Sequence, residues 1–592
     1  MFMKKRYLIY LAACLVLGGL LITSCSDKKD VPSPIQPDEP EGSTDVVIMY
    51  YSIGGGDLDC FLENTFANVA HTIAADCPNM RFFTQIKYSS REKYEQSIAK
   101  RKATDPKLNH VSSGEPGCVY RFEVTQSRVN PYCMDENGNA AVDYSGVKCF
   151  NFTPEEKLGD ASYKMYDPQN LTAFIQDCMK KTPDAQAYIL CLSDHGGGWQ
   201  IDSDYDKSLN NDQARSDTRG ILYDDNLNMD CLSAQELVTA LKSLSASELK
   251  KLMLIQYDGC MMNNLEYLGE LIDNGAPLVP YVVAASHSIT DLNQSLFCRY
   301  MALSVDNSVG VVTPEQIATQ ASGYIEEELK NKRETFVRGG KTDNSIRNLD
   351  YTVTNMNLLP AAFAAIKDLT DYLVKQDVSD KDAYTQAASG CYQFYNRIPG
   401  YDVVDYFYML KEYVFKGNAE YETLCNKAEK AIRACQYGHV DYSYSMDPEN
   451  GKTLNMTYSI LLGCNASIYD FSSFKNKPDT NQGAIMTYIG ADYSDGKYYN
   501  FVYLADGSCY YGVYQANDKK YDFRTLNMVG DTDNMNLYSW ANTYQKTNFD
   551  KSTGWSKWIE KNPGLPVGNP PVKGYKDRIG SLDLIDDYEY RP

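Results

Sequence analysis

Histidine is scarce in this chain, with five in 592 residues, and neither a CxxC nor an HxxxH spacing occurs anywhere. The usual ligand patterns of zinc are therefore missing, and no metal centre is expected. Positive charge is also short. Lys and Arg number 57 against 78 Asp and Glu, for a net charge of −21. That balance argues against nucleic acid as a partner and favours cationic substrates. Beyond the N-terminal signal, no stretch is apolar enough to cross a bilayer. Cysteine, by contrast, is plentiful at seventeen. These residues lack the spacing of a small disulfide scaffold, and several, such as Cys178, Cys191 and Cys231, fall in expected core elements, so mostly buried free thiols are expected.

The N-terminus reads as an export signal. Lys4, Lys5 and Arg6 precede a long apolar stretch that ends at Ile22-Thr23-Ser24-Cys25. That tetrapeptide resembles the bacterial lipobox, which implies cleavage before Cys25 and acylation of its thiol. Pro32, Pro34, Pro37 and Pro40 then stand among acidic and small residues, an extended spacer. The mature protein is thus expected in the bacterial cell envelope, lipid-anchored at Cys25 to the outer membrane, facing either the periplasm or the exterior.

Two strings carry the chemistry. Leu190-Cys191-Leu192-Ser193-Asp194-His195-Gly196-Gly197-Gly198-Trp199 ends one apolar run on a histidine followed by glycines, and Leu254-Ile255-Gln256-Tyr257-Asp258-Gly259-Cys260 ends another on a cysteine. Residues 187–193 and 252–257 are short and almost continuously apolar, as strands buried on both faces are. Between them Ser233-Ala234-Gln235-Glu236 forms a capping box, and Leu237, Ala240, Leu241 and Leu244 repeat at helical spacing. A strand–helix–strand crossover makes its strands parallel and opens both carboxyl ends on one crevice. A further helix over 263–272, beginning just after Cys260, would favour its thiolate, and 280–286 reads as a third strand.

The histidine inventory narrows the base. His71 falls in the helical stretch 66–75, His110 and His439 lie in polar or irregular surroundings, and His287 follows a strand as a pocket-wall or surface residue. Only His195 is flanked by glycines at a strand end. An Asp-Gly-Cys at a strand-to-helix junction likewise exposes a sulfur that a core cysteine would hide.

These motifs, with 167–175 ahead of the histidine strand, Tyr223-Asp224-Asp225 in the connection and Asn264-Leu265-Glu266 after the cysteine, resemble the clostripain family of cysteine peptidases, relatives of caspases, legumains and gingipains. The resemblance covers roughly 46–286 closely and the rest loosely. The acidic turn frequent after the family's first strand is replaced here by Gly54-Gly55-Gly56-Asp57-Leu58. It implies an α/β, caspase-like α/β/α sandwich with a mostly parallel central sheet. It also implies Cys260 as nucleophile, His195 as acid and base, and the backbone N–H groups of Gly196 and Cys260 as oxyanion donors. Asp258 is then the pocket acid for the residue preceding the scissile bond, with Asp291 as a second. A helix cap is the alternative role for Asp258. Asp194, adjacent to the histidine, points to the other face of the strand and reads as structural.

The stretch 200–220 is polar and long for a loop. Lys207, Arg215 and Arg219 in it are candidate self-cleavage sites, in the region where family members process themselves. Asp202, Asp204 and Asp206 alternate as in a calcium loop, yet Lys207 stands where an EF-hand needs glycine and Gln213 where it needs glutamate, so an EF-hand is excluded. No cofactor is required by this chemistry. Calcium at a looser site is the one ion the resemblance leaves open.

Residues 358–376 and 421–436 look helical, and 498–504 with 509–514, joined by Asp506-Gly507, read as an antiparallel hairpin. The layout expected is a signal peptide over 1–24, a tether over 25–45, a peptidase domain over 46–355, a helical segment over 356–438 and a β-rich region over 439–592. Two functions follow. One is an endopeptidase acting after Arg or Lys on protein or peptide substrates; the other is an inactive surface lipoprotein that binds glycan or protein, for which no internal repeat speaks.

Overall fold

A ten-stranded mixed sheet organises the protein. The computed structural model describes residues 44–561 except 56–57, 105–110, 135–139, 142–148, 199–219, 228–229, 287–291, 305–310, 339–347, 391–392, 396–399, 447–452, 458–464, 468–487, 493–496, 504–508, 516–519 and 527–545. Its principal elements begin with β1 (Val46–Ile53), α1 (Asp59–Asp76), β2 (Met80–Lys87), β3 (Val119–Glu123) and β4 (Glu156–Gly159). Next come α2 (Pro168–Lys181), β5 (Ala187–Ser193), the hairpin of β6 (Ile221–Asp224) and β7 (Asp230–Leu232), α3 (Ala234–Lys242) and β8 (Leu252–Asp258). They are followed by α4 (Leu265–Glu270), β9 (Tyr281–Ala284), α5 (Gln294–Ala302), α6 (Pro314–Arg338) and β10 (Asn348–Asn355). The main body closes with α7 (Leu359–Leu373), α8 (Val403–Tyr413), α9 (Ala419–Cys435), β11 (Gln436–Met446) and β12 (Thr453–Thr457).

The sheet order is β12-β11-β10-β9-β8-β5-β1-β2-β3-β4. Strands β9, β8, β5, β1 and β2 run parallel in the centre, and antiparallel strands extend both edges. Period-two alternation explains why these segments are apolar throughout. In β1, Val47, Met49, Tyr51 and Ile53 enter one core, and Val46, Ile48 and Tyr50 enter the other. The first core takes its cover from α2, α3, α4 and α7 to α9, and the second from α1, α5 and α6. The result is the caspase-like α/β/α sandwich, with its parallel strands at the centre.

Local signals place the helices. Ser233 accepts from Glu236 N while the Glu236 carboxylate takes Ser233 N, so the capping box of α3 is complete, and Leu237, Ala240 and Leu241 are fully buried. The helix after Cys260 differs from the expected 263–272. It spans only Leu265–Glu270, because the Asn264 side chain accepts from Tyr267 N and starts it there. Asn274 and Gly275, both at positive φ, then turn the chain into the short hairpin Ile272–Asp273 with Ala276–Pro277. Cys260 therefore sits in a turn, five residues before this helix begins.

The helices of 356–438 share the first core with the sheet: Leu359, Ile366, Leu410, Tyr421 and Ile432 join Val47 and Leu190 in one cluster, with Trp555 and Trp558. Strand β11 extends the main sheet by pairing with β10 on one side and β12 on the other, and it carries His439 opposite Thr352 in strand rather than in irregular surroundings. A four-stranded antiparallel sheet, β13 to β16 (Tyr488–Asp492, Lys497–Tyr503, Cys509–Gln515, Lys520–Leu526), contains the expected tyrosine-rich pair. Among the described residues no helix is long and apolar enough to cross a membrane.

Candidate active site

Strand register builds the site. Strands β5 and β8 are parallel neighbours in which Leu190 lies beside Ile255, Leu192 beside Tyr257 and Ser193 beside Asp258. Two residues beyond that last pair come His195 after β5 and Cys260 after β8, so equal spacing brings both to the same edge. A cavity of about 190 Å³ opens there. His195, Gly259 and Cys260 line it together with Tyr50, Ser193, Asp194 and Asp258, and Leu58, Phe61 and Leu62 at the start of α1, beside Thr65, form an apolar wall.

Glycines let the strand ends approach. A Cβ on Gly196 would lie 2.1 Å from the carbonyl oxygen of Cys260 and 2.8 Å from its nitrogen, so no larger residue fits against the cysteine backbone. Gly196 forms an antiparallel bridge with Ile221, and Gly197 N donates to Gly220 O at 2.8 Å. In that register Gly196 belongs to the pair whose own amides do not exchange bonds, and its N–H points away from Ile221. Gly55, at φ 56°, brings the β1–α1 turn onto Asp194 and the His195 ring, where a Cβ would meet them at 2.0 and 3.1 Å. Asp194 is buried beneath that turn.

Asp258 is 6% exposed and firmly held. Its Oδ1 accepts from Leu292 N at 3.0 Å, and its Oδ2 accepts from Ser193 Oγ and Tyr50 Oη, each at 3.1 Å. Tyr50 Oη also donates to Ser193 Oγ at 2.7 Å. Burial first, and then the Asp258 charge, hold the Tyr50 phenol well above its ordinary pKa, so it remains a donor. The carboxylate does not cap the next helix; Asn264 does that.

Ten cysteines among the described residues stand outside any disulfide, and nine of them are buried. Burial pushes Cys77 up to about 11 and Cys435 up to about 12, and raises Cys191 and Cys298 well above the usual thiol range. Such thiols stay protonated and inert. Cys260 is the half-exposed exception in this set.

Asp291, His287, His110, Lys207, Arg215, Arg219 and Cys25 lie outside the described residues, as do Asp202, Asp204 and Asp206. Among the described residues no cluster of His, Cys, Asp or Glu has the makings of a metal site. Sequence reasoning missed Ser193, although it stands two residues before His195 and strand alternation puts it on the same side. It also missed Tyr50 and the α1 wall, since nothing in the sequence fixes the register of β1, where Tyr50 lies beside Cys191.

A half-exposed cysteine and a histidine at adjacent parallel strand ends, lining one cavity together with a buried aspartate, define the class as a cysteine peptidase of α/β/α architecture. The chain belongs to the clostripain family: the profile of that family (Peptidase_C11) matches residues 151–561. Similar solved structures include a secreted C11 cysteine protease of Bacteroides thetaiotaomicron, "iotapain", at 14% identity and TM-score 0.43, covering 72% of this chain and 94% of that one. A secreted C11 protease of the same organism in complex with an irreversible peptide inhibitor gives 13% and 0.43, covering 74% and 94%. A B. fragilis cysteine protease gives 14% and 0.32, covering 56% and 96%. A search of curated protein sequences returned no significant match.

Proposed function

We propose that this cysteine peptidase is an endopeptidase that cleaves after arginine or lysine through a Cys260–His195 dyad. The observation that carries the reading is Asp258, a buried carboxylate in the lining of the cavity that also holds His195 and Cys260. The hydroxyls of Tyr50 and Ser193 and the amide of Leu292 stabilise its negative charge without cancelling it. Leu58, Phe61 and Leu62 suit the aliphatic stem of a basic side chain, and the carboxylate suits its head.

In this reading the Cys260 thiolate attacks the peptide carbonyl, and the oxyanion forms against the N–H groups of Gly196 and Cys260. His195 gives a proton to the departing amine, then takes one from the water that hydrolyses the thioester. Asp291 is a second pocket acid, and Lys207, Arg215 or Arg219 is where the protein cuts itself. The lipobox and spacer assign the protein to the outer membrane through Cys25, and calcium, where it acts, does so outside the dyad.

The test uses a soluble form beginning at Asp45 with peptides carrying Arg, Lys or Asp before a chromogenic leaving group. Turnover is expected after Arg and Lys alone, and Asp258→Asn should cost about 100-fold or more on both, because the substrate cation loses the buried carboxylate that lines the cavity. Efficient cleavage after uncharged residues by the wild type contradicts the specificity. In the full-length protein, Cys25→Ser should leave the membrane fraction and keep its activity; retention there removes the anchor.

A further inference from the structure

Ile221 does not line the cavity, yet it touches both of the loops that carry the proposed chemistry. On one side it bridges Gly196. On the other its Cδ1 would stand 3.0 Å from a Cβ placed on Gly259, so the methyl packs on the residue preceding Cys260. We propose that Ile221 is a positioning residue that sets the spacing between the two oxyanion donors. The proposal rests on the roles assigned above to Gly196 and Cys260.

The local backbone is shaped for this contact. Leu222 is fully buried at φ 68°, a conformation costly for a branched side chain and sustained only where the surroundings impose it. The ladder between β6 and β7 slips between Ile221 and Asp224, a bulge of the kind that re-aims a side chain beside a site. The turn lets Ile221 pair with Leu232 on one side and with Gly196 on the other. The neighbouring Gly220 carbonyl accepts from Gly197 N at 2.8 Å, a second stitch to the same strand end.

The far end of this strap is anchored. Lys87 Nζ lies 2.6 Å from Asp224 Oδ2, both side chains wholly buried, and also donates to the carbonyls of Ala161 and Tyr163. Ser90 donates to Asp225 through N and Oγ, and Asn226 Nδ2 donates to Tyr88 O. The strap is thus fixed to the end of β2 and reaches across to the ends of β5 and β8. An oxyanion site needs its donors held to fractions of an ångström, and Ile221 meets Gly196 through its backbone and the residue before Cys260 through its side chain.

Ile221→Val tests this with little risk to folding, because it deletes only the methyl that reaches Gly259. In the wild type, alkylation of Cys260 by iodoacetamide should abolish turnover; that control tests the nucleophile by itself and separates its failure from failure of the present proposal. In Ile221→Val, kcat should fall about tenfold, short of the ~10²–10³ that loss of a whole donor costs, with KM unchanged. Affinity for a peptide aldehyde ending in the residue the wild type cleaves best should fall by the same factor, since the aldehyde forms a tetrahedral adduct. The rate of iodoacetamide alkylation, which passes through no oxyanion, should stay at the wild-type value. Unchanged kcat and aldehyde affinity, or an alkylation rate that falls along with them, overturns the proposal.

Discussion

Asp59, the first residue of α1, is 1% exposed, and burial pushes its carboxyl up to about 7 against the opposing hydrogen bonds from Ser89. Its ordinary value is 3.8, so between about pH 4 and about pH 7 the native state holds a proton that the unfolded chain has released. The stability this contributes is complete below the lower value and is lost as pH rises through the upper one. Asp59→Asn should therefore flatten the decline, and thermal unfolding at about pH 5 and about pH 8 should show a smaller difference in Tm for the variant than for the wild type. Legibility at this scale followed sequence distance. His195 and Cys260 were readable because each closes its own apolar run, and the placing of both in one cavity lining needed only strand counting. Tyr50 was not readable. It comes from a strand far upstream, and its contact with Ser193 and Asp258 exists only through the pairing of β1 with β5.

Among the elements, the start and apolar face of α3 were legible because its cap and repeat are contained in one short window, although Leu244, read as part of that repeat, lies beyond the helix end at Lys242. The helix after Cys260 was not, since its length is decided by the Asn264 cap at one end and the positive-φ turn at 274–275 at the other. The β6–β7 hairpin was visible only as Tyr223-Asp224-Asp225, with no sign of its partner. That partner is Lys87 at the end of β2, in an ion pair with Asp224 whose side chains are both wholly buried. Burial pulls the Lys87 ammonium down and pushes the Asp224 carboxyl up, and their mutual attraction opposes both shifts. Lys87→Met would leave Asp224 charged and unpaired in the interior, so it should destabilise the protein by about 3–5 kcal/mol. Chemical denaturation should show that loss, with most of it recovered in Lys87→Met/Asp224→Leu. A single variant as stable as the wild type would show that the pair does not hold the hairpin.

Across the whole molecule, the strand order separates what the chain order joins. Residues 199–219 lie between β5 and β8 in sequence, yet β5 sits between β1 and β8 in the sheet and pairs with both along its length. If the protein cuts itself at Lys207, Arg215 or Arg219, the two fragments should separate on a denaturing gel but elute together in native size exclusion. Cys260→Ala should remain one chain. The parallel centre and its helical cover were legible in the sequence because buried strands and amphipathic helices carry their own periodicity. The extent of the sheet was not. Strand β11 does not read as a strand, since its His439 stands in surroundings that look polar or irregular, and nothing local states that it pairs with β10 rather than with the tyrosine-rich strands that follow. The central claim, a nucleophile and a base acting as one unit at the ends of β5 and β8, is tested most directly by kcat/KM on a basic peptide for Cys260→Ala, His195→Ala and the double variant. Each single change should remove nearly all turnover and the double should be scarcely worse, because loss of either member already disables the covalent route. Losses that multiply in the double variant, or substantial activity in Cys260→Ala, would contradict it.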